Sequence, residues 1–175
     1  NSINYNISKD INDDSKIKKI ITKNSMAIGF GQPWPIKTTL LKRFKGKIVD
    51  FMGIPLPQYR GGAHYSWMIL NDNRDGGCFL QNINNNTLQS ISDSGYFYMG
   101  YKYAYPKSLK IPKDYFKYSI VKELFFLKKF LNKIKSKNNF FTLKRFNENN
   151  FDLFPRLISS KNSFIDWSNS ADEIV

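Results

Sequence analysis

An α/β fold is predicted by three observations. Residues 47–70 (KIVDFMGIPLPQYRGGAHYSWMIL) run from a buried-strand pattern, Ile48 to Met52, through a proline-stiffened loop into a short apolar helix over residues 63–70. Strand, rigid loop and helix in that order are how α/β proteins build ligand crevices at the carboxyl ends of their strands. A second strand pattern at residues 78–83 is followed by an aromatic-rich one at 96–105 that suits antiparallel pairing with it. After Pro112, the residues Phe116, Ile120, Leu124, Leu127, Leu131 and Ile134 recur at intervals of three and four. That spacing predicts a long amphipathic helix packed on the sheet, with Lys128, Lys129, Lys133 and Lys135 on its wet side.

Residues 1–14, polar and rich in Asn and Asp, read as loop. Ile17, Ile20 and Ile21 have helical spacing within residues 15–23, and residues 26–30 form a strand pattern bounded by Gly29 and Gly31. Pro33 and Pro35 then fix an irregular loop whose backbone groups are left to meet a ligand or, equally from these residues, to turn the chain without one. Ile36, Leu40, Leu41 and Phe44 mark one face of a helix ending near Gly46, with Lys42, Arg43 and Lys45 at its electronegative end. Pro55 and Pro57 each remove a backbone donor and extend the residue before them, so residues 53–58 leave the strand as a stiff loop. Gly76 and Gly77 mark a turn, Asn84, Asn85 and Asn86 another, and an inserted turn or short strand is expected near residues 87–91. Residues 140–146 read as a short strand, and Ser170-Ala171-Asp172-Glu173 is a capping box that opens a further helix. A helix start so close to Val175, in a chain that opens on Asn1, suggests an internal fragment.

The chain of 175 residues is long enough for one domain with a sizeable core. Hydrophobic residues at 41% and aromatics at 16% exclude a disordered chain. No apolar run approaches the ~20 residues of a membrane helix, and there is no cleavable signal pattern. With 27 Lys and Arg against 14 Asp and Glu, the net charge of +13 suits polyanionic partners such as tRNA, or is simply a lysine-rich solvated surface. The single cysteine, Cys78, excludes an internal disulfide and a multi-cysteine metal site; it fits a reducing, cytoplasmic setting and reads as core packing. There is no P-loop, internal repeat or zinc spacing.

Leu56 to Gly62 (LPQYRGG), followed by Trp67, Ile69, Leu70 and Asn71, resembles the signature of folate-dependent formyltransferases, Asn-x-His-x-Ser-x-Leu-Pro-x-Tyr-Arg-Gly and then an Ile-Leu-Asn helix. Three further elements match in the family's order: GFGQPWP at residues 29–35, Asp93-Ser94-Gly95 for its Asp-Thr-Gly loop, and Pro155-Arg156-Leu157 with Ile165-Asp166-Trp167-Ser168. The resemblance implies a Rossmann-like formyltransferase fold, incomplete at the N-terminal side of the sheet. Residues 1–146 would then be a partial catalytic domain, and 147–175 a connecting segment with the start of a C-terminal region. It also implies formyl-tetrahydrofolate as donor, held near Gly31, Gln32, Pro33, Trp34 and Pro35. The acceptor would be a primary amine, on a nucleotide sugar or on methionyl-tRNA, with no metal and no membrane involved.

Counted back from Pro57, the family's catalytic Asn falls on Asp50 and its catalytic His on Met52, so only its Asp, as Asp93, is kept. Formyl transfer to an amine passes through a tetrahedral state with negative charge on oxygen, and needs a base for the amine proton and a donor for that oxygen. An ionised Asp50 donates no hydrogen bond, a loss of roughly 3 kcal/mol, and Met52 accepts no proton. Two substitutes are available. Asp50 and Asp93, if adjacent, would share a proton; His64 would reach the cleft as a base, or is simply a histidine at a helix start. Arg60 and Gly61 would shape the substrate side, Arg60 as a loop anchor. Three readings follow: an active formyltransferase with an altered catalytic set, an inactive folate or nucleotide-sugar binder, and a basic tRNA-binding protein.

Overall fold

The computed structural model describes residues 5–31, 36–83, 96–136, 142–147 and 153–174. Asp14 opens the first helix, α1 (Ser15–Ile20), by accepting from the Lys16 and Ile17 amides, which satisfies two of the four donors that a helix start leaves free. Strand β1 (Ala27–Phe30) and strand β2 (Ile48–Met52) are parallel, Ala27 opposite Ile48 and Phe30 opposite Phe51. Helix α2 (Thr38–Arg43) is the crossover that a parallel pair requires. After β2 the proline loop leads to a two-residue strand, β3 (Arg60–Gly61), and to helix α3 (His64–Leu70). Strands β4 (Asp75–Asn82) and β5 (Tyr96–Ala104) form an antiparallel pair, and β4 also runs antiparallel to β2. The long helix α4 (Pro112–Lys135) opens on its proline, whose missing N–H costs nothing at that position. Strand β6 (Lys144–Arg145) pairs with β5, closing a sheet of order β1-β2-β4-β5-β6. Strand β7 (Leu153–Phe154) pairs with β3, and two single turns, α5 (Ser159–Asn162) and α6 (Ala171–Ile174), follow. In the capping box before α6, the Ser170 amide and hydroxyl both donate to Glu173 Oε2 at 2.8 Å.

The sheet is covered on both faces. Ile36, Leu40, Leu41 and Phe44 from the α2 segment pack on Ile48 and Ile83. On the other face Val49, Phe51, Cys78 and Leu80 pack against Phe126 and Phe130 of α4. Cys78 is fully buried there, and burial pushes its thiol up to about 12, which fits packing rather than nucleophilic chemistry.

The helix differs from its sequence pattern in one respect. Tyr115, Ser119, Phe126 and Phe130 are its buried residues; of the expected stripe Leu127 and Ile134 pack against the sheet core, whereas Phe116, Ile120, Leu124 and Leu131 stay exposed. Apolar residues occupy two adjoining faces of α4, and spacing alone does not say which of them meets the sheet. Residues expected to act or pair in the segments 32–35 and 84–95, namely Gln32, Pro33, Trp34, Pro35, Asp93 and the inserted turn near 87–91, lie outside the described residues.

The segment after residue 147 folds back onto the proline loop. Phe154 stacks on Tyr59 at 4.7 Å, the Trp67 indole N–H donates to the Pro155 carbonyl at 2.8 Å, and the Gly62 amide donates to the Phe154 carbonyl. Gly61 has φ +106, and a Cβ there would run into the Phe154 carbonyl oxygen, so no other residue fits. Gly61→Ala is expected to cost about 2 kcal/mol and to release β7, seen as a lower Tm and faster proteolytic cleavage near residues 153–156.

Candidate functional site

Alternation along β2 divides its side chains between the faces: Val49 and Phe51 join the α4 core, and Ile48, Asp50 and Met52 point the other way. Asp50 stands opposite Gly29 on β1 and Gln81 on β4. Directly opposed residues on one face have their Cβ atoms about 5 Å apart, so the carboxylate and the amide are neighbours. Gln81 is only 5% exposed, and neither its Oε1 nor Asp50 Oδ1 has a hydrogen-bond partner among the described residues. An acceptor left without a partner in a fold costs about 1–3 kcal/mol. Burial pushes the Asp50 carboxyl up to about 6, with the Phe51 amide pulling partly back. Met52, next on the same face, packs against Ile54, Leu56, Phe79 and Phe146 and brings no proton chemistry.

Gln81 was not among the candidates read from the sequence. A glutamine inside the apolar run CFLQNI is a signal, but only the register of β4 on β2 puts it beside Asp50.

His64 lies elsewhere. It begins α3 directly after Ala63, which takes the left-handed conformation (φ 56), and its ring sits 3.9 Å from that of Tyr65. Burial lowers its pKa to about 4, so the ring is neutral at physiological pH, and Nε2 has no partner among the described residues. It lines a cavity of about 570 Å³ at the carboxyl ends of β1 and β2, with Phe30, Gly31, Phe51, Tyr65 and Glu123. The Glu123 carboxyl is raised by burial and stands so close to Gly53 that a Cβ there would lie 2.6 Å from Oε1. Met52 and Ile54 also line this cavity, and Asp50 is not among its lining residues. Arg60 and Gly61 sit in β3, opposite Leu153 and Phe154. Gly31, at φ +60, has open space where a Cβ would stand. Among the described residues no group of three or more His, Cys, Asp and Glu could hold a metal, and no helix is long and apolar enough to cross a membrane.

The chain has the fold of solved formyltransferases. It is similar to the sugar 3N-formyltransferase WlaRD (22% identity over 75% of this chain and 44% of that one, TM-score 0.56). It is also similar to the N-formyltransferase from Helicobacter canadensis (24% identity, 77% and 47%, TM-score 0.54) and to methionyl-tRNA formyltransferase from Clostridium thermocellum (16% identity, 96% and 66%, TM-score 0.57). The chain thus spans less than half the length of the first two. No family model and no curated protein matches the sequence.

The two shifted groups act on stability with opposite sign. The folded pKa of His64 is depressed, so its contribution is full above about pH 6.5 and is lost as pH falls toward about 4. The folded pKa of Asp50 is raised, so the cost of burying its charge is absent in acid and complete above about pH 6. Asp50→Asn is therefore expected to stabilise by about 1–2 kcal/mol at pH 7.5, after allowance for solvent screening, and by less at pH 4.5. His64→Gln should flatten the stability loss of about 2 kcal/mol between pH 6.5 and 4; urea titrations across pH check both.

Proposed function

We propose that this chain is the catalytic portion of an enzyme that transfers a formyl group from formyl-tetrahydrofolate to a primary amine, on a nucleotide-linked sugar in the first instance and on methionyl-tRNA in the second. The observation that carries the reading is Asp50, a half-buried carboxyl with a pKa of about 6 at the place where the resemblance puts catalysis. Residues 1–146 form the part that holds the chemistry, and 147–175 the connecting segment that braces the loop after β2.

The residues present suit such a donor molecule. Gly31 leaves open space at the end of β1, where the resemblance puts the donor. Gly31 would hold the donor together with Gln32, Pro33, Trp34 and Pro35, and when bound the donor supplies the formyl carbon. A base works best with a pKa near the operating pH, and burial has moved Asp50 toward it: the carboxylate takes the proton that the attacking amine loses. The Gln81 side-chain amide, opposite Asp50, offers N–H groups to the oxygen on which negative charge grows, in place of the asparagine that Asp50 replaces. The resemblance gives Asp93 the role of orienting the base, and Asp93 lies outside the described residues.

Turnover of formyl-tetrahydrofolate with dTDP- or UDP-linked amino sugars, or with methionyl-tRNA, tests the reading on the protein supplied with its full catalytic domain. The rate is expected to rise with pH through about 6, Asp50→Asn to lower it at least about 100-fold, and Gln81→Leu to lower kcat by about 100-fold with little change in KM. A second reading, folate binding without catalysis, is favoured by Met52, which cannot replace a histidine. Tight folate binding with no turnover, and activity gained in Asp50→Asn with Met52→His, would establish that second reading and remove Asp50 as the base.

A further inference from the structure

From Leu124 to Asn147 the chain carries seven lysines and arginines and no Asp or Glu, although the whole sequence has 14 acidic residues. The second half of α4 and all of β6 fall in that stretch. Lys129 and Lys133, at i and i+4, share one face of the helix, a spacing at which like charges destabilise it. Elsewhere such charge is compensated inside the fold: Lys18 and Lys37 pair with Asp13, and Lys122 lies over the Tyr118 ring. Lys129, Lys133 and Lys144 have no ion pair among the described residues.

The sheet opens where these three lysines meet. Among the described residues β6 pairs with β5 only at Tyr96 with Arg145 and at Phe97 with Lys144. Continued along the chain, that register would set Thr142 opposite Met99. The ladder stops short instead, and the chains part around a cavity of about 330 Å³. Met99, Gly100, Thr142 and Lys144 line it from the sheet, and Lys129 and Lys133 from α4. A ladder that ends early leaves backbone donors at its edge, and a sheet edge of that kind makes a concavity for anions. No carboxylate lines it among the described residues, and it shares no residue with the cavity beside His64.

We propose that this cavity is a second binding site, for a pyrophosphate group, free or at the end of a nucleotide. The three ammonium groups hold the phosphate oxygens as point charges, and the Thr142 hydroxyl donates a hydrogen bond. A carboxylate or a single phosphate brings too little charge to offset three cations, and a pyrophosphate brings more in nearly the same span. The cavity lies at the small end of ligand pockets, which hold roughly 300–1,000 Å³, so the base and sugar of a nucleotide stay outside it. Nothing in this site depends on formyl transfer.

Calorimetric titration of the chain with sodium pyrophosphate in about 0.15 M salt tests the site, with inorganic phosphate, UDP and uridine as comparators. Pyrophosphate is expected to fill a single site with a Kd of about 1 mM or tighter, at least about tenfold tighter than phosphate, and to weaken as salt rises. Lys129→Gln, Lys133→Gln and Lys144→Gln should each weaken it about tenfold, whereas Lys133→Arg and the distant Lys113→Gln leave it within about twofold. All four positions are exposed, so the variants keep the circular dichroism of the parent. Amide shifts at Gly100 and Thr142 report where the ligand sits. UDP bound no tighter than pyrophosphate identifies the free group as the ligand; UDP bound more tightly, with uridine silent, identifies a nucleotide. No binding by heat or amide shift up to roughly 10 mM pyrophosphate overturns the proposal, as does equal weakening by Lys113→Gln, phosphate bound as well as pyrophosphate, or uridine bound as well as UDP. A chain silent in formylation that still saturates with pyrophosphate leaves the site standing.

Discussion

Strand β2 has to satisfy two faces and two neighbours at once, and the rest of the molecule follows from how it does so. Its residues Val49 and Phe51 are held by α4, Ile48 is held by the α2 segment, and its two edges are taken by β1 in parallel and β4 in antiparallel register. A shift of one residue would put Asp50 into the apolar α4 core and bring Val49 out, so the register is fixed by hydrophobic burial on both sides. The carboxylate oxygen left without a partner among the described residues is tolerated because it sits in a frame that cannot slide.

The loop after β2 is fixed by a different set of contacts. Tyr59 is buried between Met68, Tyr105 and Tyr115, and Phe154 stacks on its ring. Tyr105 and Tyr115 stack at 4.0 Å, and Tyr65 shares a 2.6 Å hydrogen bond with Ser119 inside α4, which ties α3 to the long helix. Aromatic pairs of this kind add about 0.5–1.5 kcal/mol each beyond their buried area. The cluster sets the angle at which α3 starts, and hence places His64 in the cavity.

The site therefore has two polar places. One, Asp50 with Gln81, lies on the α2 face with acceptors left open among the described residues and a carboxyl near neutrality. The other, His64 with Glu123, lies in the apolar cavity at the strand ends, where burial favours the neutral form of both. Proton transfer at neutral pH belongs to the first, because a histidine of pKa about 4 holds no proton to give and is a weak base.

The sequence by itself determined the elements. Ile48 to Met52 as a strand, the break at Pro55 and Pro57, the start of α4 at Pro112 and the cap at Ser170 were all legible, because each depends on neighbours within a few residues. Asp50 and Met52 were legible as departures from a signature for the same reason. What only the tertiary structure decided was which elements meet. Register put Gln81 opposite Asp50, the fold-back of Phe154 made Gly61 irreplaceable, and packing buried Tyr115, Ser119, Phe126 and Phe130 of α4 while Phe116, Ile120, Leu124 and Leu131 stayed exposed. Periodicity records that a face is apolar; it carries no information on which surface that face is built to bury.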